Sequence, residues 1–318
     1  MSGCRILVTG GAGFIGSRYV RMILDRRGVH DISVTVLDAL TYAGDIANLT
    51  EVAGDLRFTF VQGDICDPAI VNQLASHHDD IVNFAAESHV DRSVQDSAPF
   101  VRTGTLGVCC LLDAALHHGV RTFTQVSTDE VYGPAPAGSW TEDAPLRPTS
   151  PYAAAKAAGD LLALSYYRTH GLDVRITRCG NNYGPGQHPE KFIPLAITRL
   201  LDGLTVPLHG DGGNIRSWVH VDDHVRGIDL VRRHGTPGEI YNIGAHIEIS
   251  NHDVAERLID ACGADPDLIE HIPDRKINDR RYSLNWTKIQ TELGYRPCVD
   301  FTAGLTQTVA WYRTNRHR

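Results

Sequence analysis

The segment Gly10-Gly11-Ala12-Gly13-Phe14-Ile15-Gly16 constrains the fold more than any other stretch of the chain. Its glycines at 10, 13 and 16 follow a short apolar run at 5–8 and precede a helical pattern of Tyr19, Val20, Ile23 and Leu24. A second apolar run, 34–37, then ends in Asp38. Strand, glycine turn, helix and strand make a βαβ unit. Glycine lets the backbone turn tightly and approach a pyrophosphate, whose charge the N-terminus of the following helix receives. A carboxylate at the end of the second strand accepts hydrogen bonds from ribose hydroxyls and repels a 2′-phosphate. Asp38 therefore points to NAD rather than NADP.

Further apolar stretches at 58–61, 80–85, 122–126 and 174–178 alternate with helix-like segments. Repeated alternation predicts an α/β fold with a Rossmann-type, doubly wound parallel sheet covered by helices. After Gly184 the texture changes, with Pro185, Pro189, Pro194 and Pro207 and a glycine cluster at 210, 212 and 213. This predicts an NAD-binding domain over 1–178 and a smaller C-terminal α/β lobe, 179–318, that mainly binds substrate. Part of 210–245 is expected to cross back, because 222–233 has the pattern of a helix that packs on the first lobe. An amphipathic segment, 301–312, closes the chain.

Bulk properties exclude other classes. The 318 residues carry a formal net charge of −8, which argues against nucleic acid as the main partner, since phosphate contacts need a basic face. The seven cysteines are scattered, Cys109 and Cys110 being adjacent. Neither a disulfide framework nor a zinc ligand set emerges, so a reducing cytoplasm and no metal are expected. His77-His78 and His117-His118 lack metal-ligand context and read as surface residues. The chain opens as a strand rather than a signal peptide, and no apolar run of about 18 residues predicts a membrane span.

Two short segments carry chemistry. Ser127-Thr128-Asp129-Glu130 follows the run 122–126 directly, and the carboxyl ends of parallel strands line the ligand crevice. Tyr152 and Lys156, four apart, share one helix face. A tyrosine is a poor base at neutral pH; bringing its pKa from near 10 toward 7 takes roughly 4 kcal/mol of differential interaction. The Lys156 ammonium and a positive nicotinamide ring are expected to supply it. Asp64, after another strand, is placed to reach an adenine amino group or to cap its strand end. The run Phe84-Ala85-Ala86-Glu87-Ser88 ends a strand in small residues that let a ligand lie close.

Tyr152 and Lys156 behind the glycine motif resemble the extended short-chain dehydrogenase/reductase superfamily. Within it the chain is similar to the dTDP-glucose 4,6-dehydratase family over nearly its whole length. The matching segments include Leu40-Thr41-Tyr42-Ala43-Gly44, Ala85 to Ser93, Ser127 to Gly133, Asn181-Asn182-Tyr183-Gly184-Pro185, Pro189-Glu190-Lys191, Gly210-Asp211-Gly212, Tyr241-Asn242-Ile243-Gly244 and Asp279-Arg280-Arg281-Tyr282. The resemblance implies that Tyr152, aided by Thr128 and Lys156, removes the sugar 4-hydroxyl proton as C4 gives hydride to NAD. Glu130 then takes the C5 proton, Asp129 protonates the departing C6 hydroxyl, and hydride returns to C6. Two adjacent carboxyl groups in opposite roles need environments that push their pKa values apart.

Motif and resemblance together assign the cofactor to Gly10, Gly13, Phe14, Ile15, Gly16, Asp38, Asp64, Ile65, Phe84, Ala85, Ala86, Ser88, Thr103, Tyr152, Lys156 and Asn182. The nucleotide sugar falls to Ser88, Thr128, Asn181, Lys191, Pro207, His209, Arg216, Asn251, Arg275 and Asn278, with Arg216 and Arg275 toward the diphosphate. The resemblance also implies a homodimer paired through the helices 101–117 and 152–167. Departures from the family pattern stand at Gly104 (usually Asn), Gly186 (usually larger), and Ile277-Asn278 (usually Gly-His), and the chain stops at Arg318. The shared cofactor site and Tyr152/Lys156 leave a nucleotide-sugar 4-epimerase or decarboxylase as alternatives, and the departures at Gly104 and Asn278 motivate a cofactor-binding paralogue without turnover. The adjacent Asp129 and Glu130 favour the dehydratase, because an epimerase needs no such acid/base pair.

Overall fold

Period-two alternation in the apolar runs decides how the first lobe is layered. The computed structural model describes residues 3–25 and 32–315. Strands β1 (Cys4–Thr9), β2 (Ile32–Asp38), β3 (Phe58–Gln62), β4 (Asp80–Asn83), β5 (Thr122–Thr128) and β6 (Val174–Cys179) are connected mainly by helices. These helices are α1 (Phe14–Leu24), α2 (Pro68–Ala75), the run α3 (Val90–Gln95), α4 (Ala98–Val101) and α5 (Val108–His118), and α6 (Pro151–His170). In β1, Ile6 and Val8 face one layer and Leu7 the other. Both faces are covered, which explains the near-continuous apolar strands of a buried parallel sheet.

Beyond β6 come β7 (Asn181–Tyr183), α7 (Phe192–Leu201), β8 (Val206–His209), β9 (Ile215–His220), α8 (Val221–His234), β10 (Ile240–Ile243), β11 (Glu248–Ser250), α9 (Asn251–Cys262), β12 (Ile269–Ile272), α10 (Thr287–Leu293) and α11 (Phe301–Thr314). The main sheet is parallel, with seven strands in the order β10-β6-β5-β4-β1-β2-β3. Its outermost strand, β10, comes from the second half of the chain, and α8 packs beside α1 through Val225, Ile228 and Val231. The remaining strands form a three-stranded sheet, β11-β9-β7, and a pair, β12-β8. A separate core of α7, α9 and α11 closes around Trp218 and Tyr183.

The strand order reverses at β1, whose neighbours are β2 and β4. Such a switch point opens a crevice at the carboxyl ends of the strands. A buried polar ladder braces the crevice: Thr9 donates to Asn83 at 2.6 Å, and Asn83 donates to Gln125 at 2.8 Å. It ties β1, β4 and β5 together beneath the functional loops.

No uninterrupted apolar run of about 18 residues occurs, but one helical run is apolar on average. Ala98–His118 forms a helical run of 21 residues that is apolar enough by composition to cross a membrane. Nearly half of its most apolar window is buried in the fold, with Val108, Leu111, Leu112 and Ala115 in the core beside α2 and α6. Its composition follows from packing between two helices and the sheet.

Gly104, one of the departures from the family pattern, lies in a π-helical turn, Arg102–Gly107. A Cβ there would stand 3.2 Å from the Ala155 Cβ. The missing side chain lets this turn lie close against α6.

Candidate active site

Every residue named above for catalysis, cofactor or substrate borders one cleft of about 670 Å³. At its β1 end Gly10 turns at φ +70°, and a Cβ there would meet the Ala85 nitrogen at 2.6 Å. The glycine is required by both backbone sign and space. Helix α1 starts at Gly13 with neither a side-chain cap nor an acid in its first turn. Its leading N–H groups are thus left for an anion. Asp38 is buried at the end of β2, where one oxygen accepts from Ala12 N and the other from Leu40 N, both at 2.8 Å. Asp64 also borders the cleft, while its carboxylate accepts from Cys66 N at 2.8 Å and pairs with Arg102 at 3.0 Å. The strand-end capping weighed for it is realised.

At the end of β5, Thr128 accepts from Glu130 N at 3.3 Å and caps the single 3₁₀ turn Asp129–Tyr132. The Thr128 hydroxyl also meets Asp129 Oδ1 at 3.4 Å, and Asp129 Oδ2 is buried with no partner among the described residues. Burial pushes the Asp129 carboxyl up to about 8, and the Glu130 charge beside it adds to the rise. Burial also raises Glu130, where Lys191 and Arg216 oppose it and Asp279 adds to it; Arg216 opposes the rise of Asp129 too, so Lys191 is what sets the pair apart. Adjacent carboxyl groups thus stand in different fields.

Ser150 and Pro151 start α6, Ser150 accepting from Ala153 N at 3.1 Å. That start presents Tyr152 and Lys156 to the cleft. Lys156 is buried and donates to the Val126 carbonyl at 2.6 Å. Burial draws it down to about 8, against the pull of Asp160. The sequence expects the Lys156 ammonium and the positive nicotinamide ring together to lower the Tyr152 phenol. In the folded chain burial raises it, the Glu130 charge adds to the rise and the Thr128 hydroxyl opposes it.

The substrate side gathers cations. Arg216 is buried, stacks 4.8 Å over Tyr282 and donates to Asn278 at 3.4 Å. Asn278, one of the departures, therefore braces that guanidinium. Lys191 donates to the Ser88 carbonyl at 2.6 Å, and Arg275 lies 3.6 Å from Asp91. Gly186 (φ +82°) faces Trp311 of α11, which forms part of the cleft wall in the place of a larger residue at 186.

Among the cleft residues to which the sequence assigns no role, three stand out. Glu190 appears in the sequence only within a matching segment. Its side chain is 12% exposed, and both oxygens lack hydrogen bonds among the described residues, with Arg92 at 3.5 Å, His89 at 3.7 Å and Lys191 at 3.9 Å. Trp311 and the buried His224 also border the cleft. The acid beside Lys191 was a readable signal for Glu190. Nothing local marked the other two.

A Rossmann-type α/β fold with a glycine turn, a strand-end aspartate and a Tyr-Lys pair defines a nucleotide-cofactor enzyme of the extended short-chain dehydrogenase/reductase class. The family model described as GDP-mannose 4,6 dehydratase matches residues 7–308. A dTDP-glucose 4,6-dehydratase of Streptomyces griseus is 57% identical over 311 residues, covering 98% of this chain and 94% of its own length. DesIV, a dTDP-glucose 4,6-dehydratase from Streptomyces venezuelae crystallised with NAD, superposes with a TM-score of 0.96 at 55% identity, covering 98% of each chain. A UDP-glucose 4-epimerase of Thermotoga maritima, solved with UDP-glucose, shares 30% identity and a TM-score of 0.91, with 98% of this chain and all of that one covered. The chain belongs to the family that this model describes, and within it stands with the dTDP-glucose 4,6-dehydratases.

Proposed function

We propose that this chain is an NAD-dependent lyase that converts dTDP-glucose to the 4-keto-6-deoxy sugar by loss of water, a step of deoxysugar biosynthesis. The observation that carries the reading is the adjacent pair Asp129 and Glu130, in unlike environments, beside Tyr152 and Lys156 in one cleft.

The residues present fit NAD: an uncapped helix N-terminus, a backbone cradle at Gly10 that a Cβ would fill, and Asp38 at the ribose position. Bound NAD supplies the hydride acceptor for C4 and the donor for C6, so the cycle closes without net redox change. Tyr152 Oη, held by Thr128 and Lys156 and favoured as phenolate by the Lys156 ammonium and the positive nicotinamide ring against the effect of burial, takes the proton of the sugar 4-hydroxyl. Glu130 takes the C5 proton, made acidic by the 4-ketone, and a proton is returned to C5 when hydride reaches C6. Asp129, protonated near neutral pH, gives its proton to the departing C6 hydroxyl. Arg216 and Arg275 receive the diphosphate, and Glu190 accepts from sugar hydroxyls. The same reading divides the chain into a cofactor lobe, 1–178 with part of 210–245, and a mainly substrate-binding lobe over 179–318.

A homodimer belongs to this reading. Val101, Leu106 and Leu161 are each more than half exposed on the α4–α5 and α6 surfaces. Such apolar side chains suit a second copy of the chain. The seven free cysteines support a reducing cytoplasm.

Incubation with dTDP-glucose tests the function. The expected product has lost one water, detected by mass spectrometry. A product of unchanged mass with C4 inverted would mean an epimerase, and NAD bound without turnover would mean a paralogue that has lost catalysis.

A further inference from the structure

His224 lies on α8, where its side chain is 1% exposed and borders the catalytic cleft. Its Nδ1 meets Asn182 Oδ1 at 2.8 Å, and the Asn182 amide nitrogen donates to the Gly180 carbonyl at 3.1 Å. These two contacts settle the sense of the amide. Turned over, it would set its oxygen against the Gly180 carbonyl, two acceptors with no proton between them. With an amide oxygen as partner, Nδ1 must carry the imidazole proton. Burial holds the ring down to about 3, so it stays neutral. Its Nε2 is a buried lone pair without a partner among the described residues.

The arrangement leaves one N–H of Asn182 underused. Among the described residues that nitrogen has, apart from Gly180, only the Cys179 sulfur, a weak acceptor at 3.6 Å. Asn182 lines the cleft at its catalytic end: a Cβ built on Gly180 would stand 3.5 Å from Asp129 Oδ2. Asp38, at the adenosine end, lies on β2, with β5, β4 and β1 between that strand and β6. A ligand group that meets Asn182 thus belongs to the nicotinamide end of the cofactor.

We propose that His224 is a positioning residue that acts through Asn182, locking its amide so that the spare N–H meets the carbonyl oxygen of the nicotinamide carboxamide. The inference rests on the NAD reading above. It assigns a task to a buried histidine that the proton transfers do not use.

The test compares holoenzymes of wild type, His224→Phe and His224→Asn by NAD affinity, melting temperature and the kcat and KM for dTDP-glucose. Phenylalanine keeps the ring and removes the donor; asparagine sets an amide N–H where Nδ1 stood. His224→Phe is expected to lose NAD affinity by about tenfold, the size of one hydrogen bond, with KM for the sugar nearly unchanged. His224→Asn is expected to restore most of it. Asn182→Ala should match His224→Phe, and combining the two should cost nothing further. Unchanged NAD affinity in His224→Phe, no rescue by asparagine, or additive losses overturn the proposal. If His224→Phe does not fold, Asn182→Ala carries the test, and unchanged NAD affinity there overturns it. Wild-type protein that binds no NAD would instead overturn the reading beneath.

Discussion

Lys156 reaches across from α6 to donate to the backbone carbonyl of Val126 at 2.6 Å, two residues before Thr128. The bond fastens the helix that carries Tyr152 to the strand that delivers Asp129 and Glu130. Two segments that are 20 or more residues apart in sequence thereby become one rigid catalytic surface. Such precision is what positioned acid/base chemistry requires.

Glu130→Gln separates the steps. The variant keeps Tyr152 and is expected to oxidise C4, so reduced cofactor accumulates while water loss slows by about 10²–10⁴-fold, the usual worth of a general base. Deuterium uptake at C5 from heavy water should fall in parallel. Water release at the wild-type rate would remove Glu130 from the role.

Asp129 makes pH a probe of both activity and stability. Its folded pKa of about 8 lies far above the ordinary carboxyl value. The folded state therefore binds a proton that the unfolded chain gives up between about pH 4 and 8, and this contribution to stability declines as pH rises through that window. Denaturant midpoints of Asp129→Asn should show a flatter decline from pH 5 to 8 than wild type. Turnover of wild type should also drop above pH 8, where the acid is lost.

Gly10→Ala tests the cofactor cradle. A left-handed φ costs alanine about 1–2 kcal/mol, and the new Cβ also presses on the Ala85 backbone. Gly119→Ala is the control, since it has a similar φ of +67° with nothing within 4 Å. Both should lower the denaturant midpoint. Only Gly10→Ala should strip NAD from the purified protein, measured by its absorbance after release.

The dimer reading is tested by Leu161→Glu, which places a charge on the exposed apolar face of α6. Light scattering should show a dimer for wild type and a monomer for the variant. A monomeric wild type would leave those side chains without a partner.

Much of the site was legible because it hangs on short motifs at strand ends. Gly10 to Gly16, Asp38, Ser127 to Glu130 and Tyr152 to Lys156 each signal locally, and the sheet carries all of them to one edge. Glu190 was harder, since its meaning lies in two oxygens left unpaired beside Arg92 and His89, more than 90 residues away in sequence. Trp311 and His224 reach the cleft only because α11 and α8 fold back on it. The Tyr152 phenol shows another limit. Spacing put it on one helix face with Lys156, but burial sets the direction of its shift.

The sequence by itself determined the βαβ unit, the preference for NAD and the pairing of an acid with a base after β5, because glycine geometry, charge and alternation act over a few residues. Tertiary structure alone decided that burial raises both carboxyls, which cations face Glu130 and how the second half of the chain completes the sheet with β10. Those outcomes depend on desolvation and on charges brought together from distant segments, and no local pattern encodes either.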